Sequence, residues 1–119
     1  MDNCASMDEK TKQIFSLAEE IGELLKETDE FRDFERASIE LSRSENEKEL
    51  LERYAELEEN IRQRRDTGDL IEPFVLEEAA SFREAAMASD VIKAYLSSRD
   101  RYVSLLELVQ KELENESLG

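Results

Sequence analysis

Three features of the sequence predict an all-α fold, an antiparallel bundle of about five helices. Apolar residues recur three and four positions apart in nearly every segment, the period of one face of an α-helix. Only 3 glycines and 1 proline occur among 119 residues, too few for the turns a sheet requires. Charged residues make up 39% of the chain, level with the apolar share, so the core must be lean and drawn from narrow helix stripes. One such chain buries little surface by itself, which predicts oligomerisation.

The first amphipathic stretch runs from about Asp8 to Glu27. Ile14, Ala18, Ile21 and Leu25 step along one face, with Phe15, Leu17 and Leu24 widening it, and Gly22 within it points to a close helix contact. Thr28 or Asp29 can cap a second helix that turns Phe31, Phe34, Ala37 and Leu41 inward and Asp33, Glu35, Arg36 and Glu40 outward. Ser44-Glu45-Asn46-Glu47 has the pattern of a capping box, with Ser44 at the N-cap and Glu47 at the third helical position. The helix it opens carries Leu50, Tyr54, Leu57 and Ile61 on one face, and Arg62, Arg64 and Arg65 in its last turn complement the helix dipole. Asp66-Thr67-Gly68-Asp69 is the clearest loop, and Pro73 marks the break that follows.

Val75, Ala79, Phe82 and Ala86 define a short fourth helix, and the cap-type pair Ser89-Asp90 restarts the chain. From Ile92, the positions Tyr95, Arg99, Tyr102, Leu106, Val109 and Leu113 alternate steps of three and four, and all but Arg99 are apolar or aromatic. At 1.5 Å per residue that helix is about 35 Å long, a length that favours side-by-side packing. Residues 8–114 are assigned to a single helical domain, flanked by flexible tails at 1–7 and 115–119.

Composition removes several chemistries. The chain has no histidine, so a histidine base, a histidine metal ligand and a Ser-His or Cys-His nucleophile are all excluded. A single cysteine, Cys4, excludes an internal disulfide and a cysteine-only zinc site. The formal charge is −15, and it is uneven: residues 1–60 carry 19 acids and 8 bases, residues 61–119 carry 12 and 8. Such a surface repels phosphate backbones and anionic lipid, so neither a nucleic-acid nor a membrane partner is expected, and basic protein partners are steered toward the acidic first half. The N-terminus has neither the basic nor the apolar region of a secretory signal, and no stretch approaches a membrane span, which predicts a cytoplasmic protein.

Candidate sites are few. Glu20/Glu23, Glu49/Glu52 and Glu56/Glu59 have the spacing that metal-dependent helical hydrolases use, yet a chain this acidic yields roughly eight such pairs by chance. Glu20, Glu52 and Glu59 also fall off the apolar stripes, so no catalytic residue, metal site or cofactor is assigned. Arg62, Arg64 and Arg65 form the one local basic patch: either they compensate the helix dipole and pair with neighbouring acids, or they meet an acidic partner or RNA phosphates. Ile92, Tyr95, Arg99, Tyr102, Leu106 and Val109 are assigned to a dimer or bundle seam. In it Arg99 either fixes register beside a Glu of a neighbouring helix or snorkels from the edge. Tyr54, Tyr95 and Tyr102 suit half-buried packing.

Ile14-Phe15-Ser16-Leu17-Ala18-Glu19-Glu20-Ile21, followed by Glu30-Phe31-Arg32-Asp33-Phe34-Glu35-Arg36-Ala37, resembles the opening of the YlbF/YmcA family of small helical bacterial proteins. Ser89-Asp90-Val91-Ile92-Lys93-Ala94-Tyr95-Leu96, running on to Leu105-Leu106-Glu107-Leu108-Val109, is similar to that family's closing helix, and the likeness covers roughly residues 10–113. The resemblance implies an intertwined homodimer or hetero-oligomer without a catalytic site, a regulatory factor in competence, sporulation and biofilm programmes associated with RNA-decay machinery. Some relatives share an iron–sulfur cluster through C-terminal cysteines. Cys4 lies at the opposite end of this chain, and no cluster is carried over. From the residues alone, a metal-dependent all-α hydrolase and a holdase-like chaperone stay open as alternatives to a non-catalytic adaptor.

Overall fold

The apolar stripes become five helices: α1 (Glu9–Leu25), α2 (Asp29–Ser42), α3 (Glu45–Thr67), α4 (Pro73–Met87) and α5 (Asp90–Leu118). The computed structural model describes residues 8–118, among which no strand occurs; Cys4, the rest of 1–7 and Gly119 lie outside the described residues. The fold is all-α, as the periodicity predicts. Helix α5 continues to Leu118, within the stretch 115–119 expected as a flexible C-terminal tail.

Local chemistry sets most of the boundaries. The Asp8 carboxylate accepts from the Thr11 N–H at 2.8 Å and starts α1. Thr28 does two jobs in the short joint before α2. Its hydroxyl donates to the Leu25 carbonyl at 2.7 Å, closing α1, and accepts from the Phe31 N–H at 3.2 Å, opening α2. Gly68 ends α3 with φ at 78°, where a residue with a side chain is strained; the Asp69 N–H reaches the Arg64 carbonyl at 2.9 Å and the Gly68 N–H the Arg65 carbonyl at 3.2 Å, a Schellman closure. Helix α3 therefore includes Asp66 and Thr67, which the sequence pattern places in the loop. Pro73 occupies the first turn of α4, where its missing N–H costs nothing. Ser89 accepts from the Ile92 N–H at 3.2 Å and caps α5.

One boundary departs from expectation. Ser44 sits at the N-cap of α3, but no capping box forms: its hydroxyl donates back to the Glu40 carbonyl at 3.1 Å and makes no cap to α3. Only Arg43 and Ser44 separate α2 from α3, so the same hydroxyl lies within reach of the orphan carbonyls of the preceding helix and is used there.

The helices pack two by two. Helices α2 and α5 lie antiparallel along each other, and α3 and α4 form a second antiparallel pair. At the junction of the pairs, Leu41, Ala86 and the fully buried Ile92 form one core cluster, with Leu50, Leu51, Val91, Tyr95 and Leu96 around it. A second cluster, Ile61, Val75 and Ala79 with Leu57 and Ile71, holds α3 to α4 further out, so this pair projects as an arm. Helix α1 makes at most marginal contact with the rest and buries no residue. The radius of gyration is 19.8 Å, against about 13.5 Å for a compact chain of this length.

Two substitutions test this reading by urea unfolding. Ile92→Ala, which empties the centre of the junction cluster, is expected to cost about 3 kcal/mol. Gly68→Ala is expected to cost about 1 kcal/mol from the backbone alone, since nothing lies within 4 Å of the added carbon.

Candidate functional site

Three surfaces carry the residues singled out from the sequence. The first is the seam between α2 and α5. The Phe31 and Tyr102 rings meet edge-on with centroids 5.5 Å apart, Phe34 stacks on Tyr102 at 5.7 Å, and Phe34 lies 5.6 Å from Tyr95. Geometries of this kind add about 0.5–1.5 kcal/mol per pair beyond area burial. Beside them Arg101 bridges to Asp33 at 3.2 Å, linking the two helices from the rim. Buried Ser98 satisfies its hydroxyl on the Tyr95 carbonyl at 3.1 Å, one turn back along α5.

Of the seam residues, Ile92 is fully buried and Tyr95, Tyr102 and Val109 are half-buried. Leu106 is exposed at 37%. Arg99 holds its head at the surface beside its neighbour Asp100, at 3.5 Å, and pairs with no Glu of another helix. The seam is thus an internal contact as far as Tyr102. Past it α5 runs beyond the start of α2, and Leu106 and Leu108 face outward.

The second surface is the arginine cluster near the tip of the arm. The structure separates its members. Arg62 is held on both sides along α3, by Glu59 one turn before it and by Asp66, 3.2 Å away, one turn after it. Arg64 reaches across the tip to Glu72 at 3.0 Å, tying the end of α3 to the entry of α4. Arg65 has no carboxylate within ion-pair distance among the described residues. The Glu59 carboxyl is held below the usual carboxylate range chiefly by the Arg62 hydrogen bond, and the same bond raises Arg62. Glu72 is lowered by its own backbone N–H and then by Arg64. Asp8 is lowered by the backbone N–H of Thr11 that it caps.

The third surface is α1. Much of its apolar surface faces solvent: Ile14 is 61% exposed, and the flanking Phe15 53%, Leu17 58% and Leu24 64%, while Ile21 and Leu25 are half-buried. No atom lies within 4 Å of a side-chain carbon built on Gly22, so the close contact expected there is not made within the chain. Periodicity identifies the stripe but is silent on what covers it, since any amphipathic helix has the same pattern whether its cover is in the same chain or another.

The acidic pairs bind bases of their own helices. Glu23 pairs with Lys26 at 3.6 Å, Glu49 with Arg53 at 3.1 Å and Glu59 with Arg62, each along its own helix. Among the described residues no three carboxylates or thiols come together as a metal ion would require.

An all-α chain of paired helices, with one amphipathic helix largely exposed and, among the described residues, no helix long and apolar enough to cross a membrane, is the class that these features define. The family described as control of competence regulator ComK, YlbF/YmcA, matches residues 14–116 of the 119, and the chain belongs to that regulatory family. No curated protein matches the chain in sequence.

The lowered carboxyls set an acid limit with a definite sign. Glu59 and Glu72 take up protons less readily folded than unfolded, so their contribution is complete above the ordinary value of 4.5 and is lost as pH falls through the depressed folded values. Thermal melts between pH 6 and 3 are expected to show a falling acid limb that is shallower in Glu59→Gln/Glu72→Gln, while the two proteins differ least in slope near neutral pH.

Proposed function

We propose that this protein is a non-catalytic cytoplasmic adaptor that regulates by protein–protein contact and works as a dimer, in control of competence and the related sporulation, biofilm and RNA-decay functions. The family description supports the regulatory part. The observation that carries the contact part is the uncovered apolar face of α1.

Ile14 on that stripe and Phe15, Leu17 and Leu24 on its flanks stand more than half exposed, and full burial of each is worth roughly 1.5–3 kcal/mol. Nothing among the described residues covers those side chains, whereas a second copy would, by laying its α1 along the distal part of α5, where Leu106 and Leu108 are likewise exposed. Size supports the same reading. The accessible surface is 9307 Å², against about 6,600 Å² for a compact monomer of this mass. The excess is of the order that one partner contributes to a large obligate interface of about 2,000–5,000 Å² in total. Reciprocal exchange of α1 would be an intertwined dimer, with Ile92, Tyr95 and Tyr102 as its internal packing and Leu106 and Val109 at the shared surface. The acidic first half then lies on the dimer body, available to a basic partner.

Sedimentation velocity at micromolar concentration is expected to give a dimer, and Ile14→Glu/Leu17→Glu a monomer with a lower melting temperature. A well-folded wild-type monomer would count decisively against the reading. In the native host, deletion of the gene is expected to change transcript levels of the ComK-dependent genes, with rescue by the wild type and not by the α1 variant.

A further inference from the structure

We propose that the Thr28 hydroxyl is a latch that holds α1 at one angle to α2, so that the exposed face of α1 is presented ready-oriented to a second copy of the chain. This rests on the dimer reading given above and adds the residue that positions the exchanged helix.

Packing does not fix the direction of α1. The helix buries no residue and makes at most marginal contact with the other four. What remains is the joint, residues 26–28, and every backbone N–H in it is used. The Lys26 N–H donates to the Gly22 carbonyl at 3.3 Å, the Glu27 N–H to Leu24 at 3.0 Å and the Thr28 N–H to Leu25 at 3.1 Å. The last two bonds span three residues, so α1 closes in a tightened turn that runs directly into the N-cap of α2. The Thr28 carbonyl already accepts the first bond of α2, from the Arg32 N–H at 3.1 Å.

Within this joint the Thr28 side chain ties one helix to the other. Its contact with the Phe31 N–H is an ordinary cap, which starts α2 wherever α1 points. The bond it donates to the Leu25 carbonyl is different, because it crosses the joint and forms only with the end of α1 in one place. Phe31 in turn packs on Tyr102 of α5. A line of contacts therefore runs from the last residue of α1, through Thr28, to the seam between α2 and α5.

A helix held in its binding direction has less to order on association. Without the latch α1 is competent for exchange only part of the time, and the apparent dissociation constant rises in proportion. One net hydrogen bond biases the competent direction about fivefold, and a reciprocal dimer uses two joints, so loss of the latch weakens the dimer about 25-fold.

Three variants of the full chain separate the two contacts. Thr28→Ser keeps both, Thr28→Asp keeps the cap but cannot donate to Leu25, and Thr28→Val keeps the shape and loses both. In a dilution series read by sedimentation, Thr28→Ser is expected to dimerise like the wild type, and Thr28→Asp and Thr28→Val about 25-fold more weakly. Thr28→Asp is expected to keep the helical circular dichroism of the wild type. Wild-type affinity in Thr28→Asp overturns the proposal. So does a loss that vanishes in about 0.5 M salt, which assigns it to repulsion from Glu27, Asp29 and Glu30. The direction of α1 is read separately in the Ile14→Glu/Leu17→Glu chain, from the distance between spin labels on Lys12→Cys and Ser97→Cys with Cys4→Ser. That distance is expected to be narrowly distributed with threonine at 28 and to broaden in Thr28→Asp; equal widths overturn the latch. A wild-type chain that stays monomeric overturns the dimer reading instead, and the spin-label widths still decide whether Thr28 directs α1.

Discussion

Packing of α2 along α5 is the contact on which every other element hangs. Phe31 and Phe34 lie against Tyr95 and Tyr102 at one end, and Leu41 meets Ile92 and Ala86 at the other, so the pair is pinned at two points along its length. The second point is also where the arm attaches, since Leu50 and Leu51 at the start of α3 pack on the same cluster. Helix α1 has no such anchor and is held to the rest through the Thr28 joint. The order of dependence is clear. Removing the α2–α5 contact leaves the arm without a base, whereas removing α1 leaves both helix pairs intact.

A chain built this way places its apolar surface where a monomer gains least from it. Aliphatic and aromatic groups are shared between two small clusters and the faces of α1 and distal α5, while the charged residues cover the remaining helix surfaces with pairs one turn apart. Such exposed pairs contribute about 0–1 kcal/mol each, too little to replace a missing core. Stability and interaction are therefore the same problem here: the surface that is short of cover is the surface available for binding.

The helices were legible because their signals are local. The steps of Phe31, Phe34, Ala37 and Leu41, the cap at Thr28, the glycine at 68 and the proline at 73 each act within a turn or two, and the structure has them in the expected roles. Ser44 went otherwise because two helices compete for one hydroxyl, and its sequence context looks the same whichever helix wins. The candidate sites were legible only in part. Arg62, Arg64 and Arg65 are adjacent in sequence, but Glu59, Asp66 and Glu72 engage the first two and leave the third. That division depends on where the chain returns after Gly68, which no local pattern encodes. The exposure of α1 is likewise a property of the whole fold.

The arm joins the body through two short joints, Arg43–Ser44 on one side and Ala88–Ser89 on the other, and both flank the cluster of Leu41, Ala86 and Ile92. Each joint has only four backbone torsions, and Ser44 and Ser89 spend their hydroxyls on adjacent backbone groups. An arm fastened twice in this way is joined to the body without a long linker. It extends about 34 Å, the length of α3, from the best-buried part of the protein. Both joints of the arm therefore meet at the cluster of Ile92, which also holds α5 against Leu41 of α2.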